Sequence, residues 1–316
     1  MLFMRADRDW LITCENIALL DGRISRETEK RIPLFRELAH AFLHPFPDPE
    51  NLSVRDLFLR AGQAFPASTV HDDALPENRS LLARCLTQLT AQDRLCFLDG
   101  LLHALGAVGI SLTAASFFPV CGIDLPLRCR VAYVHNPYAD EAFESFSALL
   151  PTPSFLYADG FREACEAVAA HEADFCILPF ENSAGPLLPF AELAERFSLC
   201  INAICRVFHA DGTDATRFAL YAPNIASVLA GDFPCLRAAF TIPGTDALPL
   251  HLTAFASADG RILRLSCAPD DSAPHALRCT VTLRIPAERL LSVLSYLLAF
   301  TGNPRLLGLY KETENE

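Results

Sequence analysis

A chain of 316 residues exceeds one ordinary domain and implies two or three. Its 51% hydrophobic and 20% charged residues supply sizeable cores. The formal net charge of −12, with no basic stripe along the sequence, argues against nucleic-acid or anionic-membrane partners, which need clustered Lys and Arg. A small-molecule ligand fits this balance better. The 12 Cys are scattered singly, mostly in apolar runs and without a Cys-x-x-Cys pair, so they read as core residues of a reducing compartment. Arg5, Asp7, Arg8 and Asp9 interrupt the start, which cannot supply the apolar core of a signal peptide, and a cytoplasmic protein is expected.

Residues 1–127 read as a helical bundle or cap. Pro33 opens a helix whose Phe35, Leu38, Ala39 and Phe42 share one face, and Ser53 with Asp56 resembles a capping box for Val54 to Ala64. Pro76 precedes the apolar spacing Leu81, Leu82, Cys85, Leu86 and Leu89, and Thr90 with Asp93 caps a helix bearing Leu95, Leu98, Leu102 and Leu105. His40 and His44 have a helical ligand spacing, but no Glu stands between them and Pro45 ends the helix; no metal or other cofactor is expected. Leu101 to Ile123 is uncharged and long enough to span a bilayer, yet Gly106, Gly109, Pro119 and Gly122 break it up, so it reads as a buried helix end followed by a loop.

From Cys129 strands and helices alternate. Strands are expected at Cys129–Val134, Ser154–Ala158 and Phe175–Pro179, helices at Ala139–Leu149, Phe161–Ala170 and Leu187–Phe197, then strands at Cys200–Phe208 and Thr216–Tyr221. This predicts one α/β lobe over 128–222 with a mostly parallel sheet. Cys200 and Cys205, an odd number apart on one strand, are expected on opposite faces. After a linker near Pro223 to Pro234, the order is strand (Arg237–Ile242), helix (Ala247–Ala256), strands (Arg261–Cys267, Ala276–Ile285), helix (Pro286–Ala299) and strand (Arg305–Leu309). That βαββαβ order is ferredoxin-like and spans 235–312, making the fold class α/β and α+β. Leu290, Leu291, Val293, Leu294, Leu297 and Leu298 make the last helix apolar nearly all round, which predicts a homodimer or higher homo-oligomer formed through it.

Chemistry is expected at Ala173 to Ser183, where an apolar run stops at Pro179 and delivers Glu181, Asn182 and Ser183. Buried parallel strands present their ligand-binding groups just beyond their carboxyl ends. The same triplet also suits the start of the following helix, and Thr216-Arg217-Phe218 also suits a plain strand start.

Glu181-Asn182-Ser183 and Thr216-Arg217-Phe218, in this order and in strand contexts, resemble the prephenate dehydratase family. Arg130 to Val134, Phe161 to Val168 and Leu307-Gly308-Leu309-Tyr310 match its first strand, a helix and the end of its ACT regulatory domain, so the likeness covers about 129–222 and 236–311. The resemblance implies a carbon–oxygen lyase that converts prephenate to phenylpyruvate, water and carbon dioxide. It makes Thr216 the donor to the leaving hydroxyl, with Arg217 and Phe218 beside it, and Glu181, Asn182 and Ser183 orienting the pocket. Asn136 and Tyr138 stand where the family has a glycine-rich substrate loop, and Asp246-Ala247-Leu248 and Ser266 where it binds a phenylalanine effector.

Three departures accompany the likeness. Only residues 184–215 lie between Ser183 and Thr216, too few for the family's second α/β lobe. The loop His135 to Asp140 lacks Gly and carries Asp140, and the effector region lacks the family's Glu and Arg. The expectation is a catalytically impaired small-molecule-binding or scaffold protein. The alternative is an active dehydratase, with Arg36-Glu37-Leu38-Ala39 a faint trace of a chorismate mutase-like helical N-terminus.

Overall fold

The computed structural model describes residues 30–40, 43, 53–63, 90–209, 212, 214–226, 229, 234–270 and 276–313. The start of the chain, Phe42, His44 and the helix expected over 81–89 lie outside these residues. Helix α1 covers residues 30–40, followed by α2 (Val54–Gln63), α3 (Ala91–Ala107) and α4 (Ala114–Phe117). The central part holds β1 (Cys129–Val134), α5 (Pro137–Ser147), β2 (Pro153–Ala158), α6 (Phe161–Ala169), β3 (Phe175–Asn182), β4 (Gly185–Pro186), α7 (Leu188–Arg196), β5 (Cys200–Phe208) and β6 (Ala215–Ala222). The C-terminal part holds β7 (Cys235–Ile242), α8 (Leu248–Ser257), β8 (Arg261–Pro269), β9 (Leu277–Arg284), α9 (Leu290–Phe300) and β10 (Gly302–Thr313).

Local signals set several boundaries. Thr90 and Asp93 form the expected capping box, the Asp93 N–H donating to Thr90 Oγ1 at 3.2 Å and the Thr90 N–H to Asp93 Oδ2 at 3.1 Å. Helix α3 ends at a turn where Gly109 adopts φ +85°. Among the described residues no helix is long and apolar enough to cross a membrane.

The ten strands of the described residues join one mixed sheet, in the order β2-β1-β3-β6-β5-β10-β7-β9-β8, with β4 on β3. It is parallel across β2, β1 and β3 and antiparallel on both sides of β6, because β6 runs back along β5. The last four strands take the spatial order 4-1-3-2 of a βαββαβ unit. Sequence pattern alone separates the two halves, whereas β10 extends past the expected Leu309 and pairs in parallel with β5, Gly308 opposite Ile201. A Cβ on Gly308 would stand 2.8 Å from Ile201 Cβ, so only Gly permits this approach.

Three cores follow. Helix α5 covers Val131, Ile177, Val207 and Leu220, while α6 and α7 cover Cys176, Leu178, Ile204 and Ala219 on the other face. The third joins Phe240, Val281, Val293 and Leu297 to Phe35, Leu57, Phe58 and Leu98 of α1 to α3. The N-terminal helices thus cover α9 within the same chain, and its apolar surplus no longer argues for a second copy. Arg36 and Glu37 are exposed beside buried Phe35 and Ala39, so the faint mutase-like signature lines no inner cleft. A bulge between Ile201 and Ala203 corrects the placement of Cys200 and Cys205: Cys200 joins the third core and Cys205 the first, both opposite the face of Ile201. Cys267 and Cys279, which lie apart in sequence, face each other across β8 and β9 with Sγ atoms 2.8 Å apart.

Two measurements follow from this packing. Gly308→Ala is expected to cost about 1–3 kcal/mol by overpacking the β5–β10 contact, read as a lower urea midpoint; an unchanged midpoint would mean the two strands do not meet as described. Burial, with a smaller contribution from Arg94, pushes His251 down to about 4, and its Nδ1 lies 3.1 Å from the Tyr296 hydroxyl oxygen. Because the folded value lies below the unfolded one near 6.5, the unfolded chain binds more protons between the two. Stability is therefore full above about pH 6.5 and falls toward pH 4 by roughly 3 kcal/mol at most. His251→Gln should flatten that slope in urea midpoints taken across this range.

Candidate functional site

The Glu-Asn-Ser triplet ends β3 and turns into β4, with Glu181 opposite Pro186 and Asn182 opposite Gly185. Asn182 Oδ1 accepts the Ala184 N–H at 3.0 Å, and Gly185 takes φ +116°, a tight hairpin. The helix-capping reading of this triplet is corrected by the fold: Leu187, not Asn182 or Ser183, precedes α7, and no side chain caps it. Ser183 instead donates to Asp214 Oδ2 at 2.9 Å.

Across that hairpin end lies the β5–β6 turn. His209 Nε2 is 3.0 Å from Thr216 Oγ1, and His209 Nδ1 is 4.0 Å from Asp214 Oδ2, an imidazole between a carboxylate and a hydroxyl. Such an order lets a proton pass between the hydroxyl and the ring. The Tyr138 ring lies 5.0 Å from the His209 ring. Asn136 caps α5, its Oδ1 accepting the Ala139 N–H at 3.0 Å, and Asp140 is held by His135 Nδ1 at 3.1 Å. Phe218 is buried in the core under α5.

Arg217 follows Thr216 on β6 and so points to the opposite face. There it meets Glu181 and Glu312 at 3.5 Å each. Arg264 also pairs with Glu181, and Arg284 lies 3.6 Å from Glu312. These groups surround a cavity of about 320 Å³ completed by Phe180, Arg261, Leu263, Thr282 and Tyr310. The arginines come from three strands, so the sequence reading that found no basic stripe missed a cluster that exists only after folding.

The structure therefore divides the expected catalytic set. Ser183 and Thr216 belong to the hairpin-end cluster, Glu181 and Arg217 to the cavity on the other face. Asp246, Ala247 and Leu248 lie in the turn from β7 into α8, and Ser266 lies on exposed β8 opposite Thr280; no hydrogen bond links the two groups among the described residues. His209 and Asp214 were not expected as functional residues. Their signal was available in the hairpin pairing, since Phe208 opposite Ala215 places His209 beside Asp214 and diagonal to Thr216.

No protein-family model and no curated protein matches the chain. Among solved structures it is similar to GqqA, a novel type of quorum-quenching acylase, at 22% identity over 58% of this chain and 95% of that one, TM-score 0.43. The prephenate dehydratase from Streptococcus mutans is similar at 19% identity over 58% and 98%, TM-score 0.46. That from Arthrobacter aurescens, in complex with L-Phe, is similar at 15% identity over 57% and 89%, TM-score 0.44.

The division over two faces is measurable by double-mutant cycles in urea. Thr216→Val with His209→Gln should couple by at least about 0.5 kcal/mol, whereas Thr216→Val with Glu181→Gln should add within about 0.5 kcal/mol. Strong coupling in the second cycle would contradict the division.

Proposed function

We propose that this chain is a prephenate dehydratase-related protein that has lost dehydratase turnover and works as a small-molecule-binding or scaffold protein, with an ACT-like βαββαβ unit fused to its α/β lobe. One observation carries the reading: between Ser183 and Thr216 the described residues build β4, α7 and β5 and no second α/β lobe. Among the described residues of that segment His209 and Asp214 lie beside Thr216, and none forms a second lobe facing it across a cleft. A dehydratase needs groups that hold the two substrate carboxylates while a donor protonates the leaving hydroxyl. Arg217, the guanidinium nearest in sequence to Thr216, faces away from it. Asp140, two residues after Tyr138 whose ring lies 5.0 Å from that of His209, adds a carboxylate to this end of the lobe.

The contact between His209 Nε2 and Thr216 Oγ1 favours a second reading, residual catalysis in which the imidazole reloads the hydroxyl with a proton.

Purified protein incubated with prephenate and followed for phenylpyruvate decides between them. The expected result is formation at the uncatalysed rate. Turnover that drops on the order of a hundredfold in Thr216→Ala would overturn the proposal and establish the second reading.

A further inference from the structure

We infer that the arginine-lined cavity between β6, β8, β9 and β10 binds a small phosphate monoester with an apolar body. It lies on the face opposite Thr216, so the inference stands whichever way the turnover assay falls.

Arg217, Arg261, Arg264 and Arg284 face two carboxylates, Glu181 and Glu312, which leaves a net charge of plus two inside a chain whose net charge is −12. Arg261 and Arg284 are directly opposed across β8 and β9. Like charges in that register repel, and Glu312, 3.6 Å from Arg284, offsets only part of the repulsion. Arg261 has no carboxylate partner among the described residues. The contacts of Arg217 and Arg284 with carboxylates are 3.5–3.6 Å, well beyond the ~2.7–2.9 Å of a charge-assisted hydrogen bond. Each guanidinium carries five N–H donors, so the two carboxylates cannot saturate the four of them.

Geometry and charge select the ligand class. A carboxylate offers two oxygens and one charge, whereas a phosphate monoester offers three terminal oxygens and a charge near −2, matching the cavity's surplus and its donors arriving from three strands. Phe180, Leu263 and Tyr310 supply the smaller, apolar part of a mostly polar lining, and Arg237 lies over the Phe180 ring at 5.0 Å. A cavity of about 320 Å³ suits a small metabolite rather than a polymer.

The full-length protein titrated calorimetrically at low salt with phenyl phosphate, inorganic phosphate and succinate tests this. Phenyl phosphate should bind at least several-fold tighter than either of the others. Its affinity should fall tenfold or more in Arg261→Ala and further in Arg261→Glu, should rise in Glu312→Gln, and should be unchanged in Thr216→Ala. Arg261 is exposed and unpaired with any described carboxylate, so these variants should keep the wild-type urea midpoint. Absence of phenyl phosphate binding at millimolar concentration, or equal affinity in folded Arg261→Ala, would overturn the inference. Tighter binding of succinate would overturn it too, assigning the cavity to a dicarboxylate.

Discussion

Everything on the arginine face depends on the parallel pairing of β10 with β5. Without that contact β7 to β10 would form a separate four-stranded sheet, and Arg217 on β6 would have no fixed relation to Arg264 on β8. The pairing is made by a strand that belongs to both halves, since β10 is antiparallel to β7 on one side and parallel to β5 on the other. Gly308 sits within that contact, where a Cβ would meet Ile201, and the register shifts beside it on both neighbours. A glycine is required there because the backbones approach too closely for a Cβ.

The same seam explains how an acidic chain presents a basic cavity. Net charge counts every side chain equally, but strand alternation sorts charges by face, and β6, β8 and β9 each send arginines to one side. Helices α8 and α9 occupy the opposite side with the N-terminal helices, and among the described residues no helix of this half covers the arginine side. Arg278 of β9 and Arg305 of β10 share Glu195, which ties α7 to two strands of the C-terminal half. Each such exposed pair contributes little stability. Their arrangement concentrates positive potential along a single face.

What was legible in the sequence was local. Strands β1 and β5 fall where apolar runs meet polar or helix-starting residues, and the Thr90 box follows from two side chains three residues apart. The βαββαβ order was readable from the alternation of patterns after residue 235. What was not legible arises from long-range pairing. One bulge residue between Ile201 and Ala203 reverses which faces Cys200 and Cys205 share, and no pattern within β5 announces it. The reach of β3 to Asn182 comes from β4 folding back on it, and the intrachain cover of α9 depends on helices more than 180 residues earlier in the chain. His209 escaped notice because its partner hydroxyl becomes a neighbour only once the hairpin register is known.

Strand alternation also bears on how the motif residues can be used. Thr216 and Arg217 are adjacent on β6 and therefore cannot both face one ligand lying against a single side of the sheet. A protein that uses both must wrap a ligand around a strand end or bring a second structural layer over it. Here the strand end is closed by the β3–β4 hairpin and by Asp214, which Ser183 already engages. The layer that meets Arg217 comes instead from the C-terminal half, through Arg264, Arg284 and Glu312. The hydroxyl is thereby left to a histidine on one face, and the guanidinium becomes part of an anion-binding surface on the other.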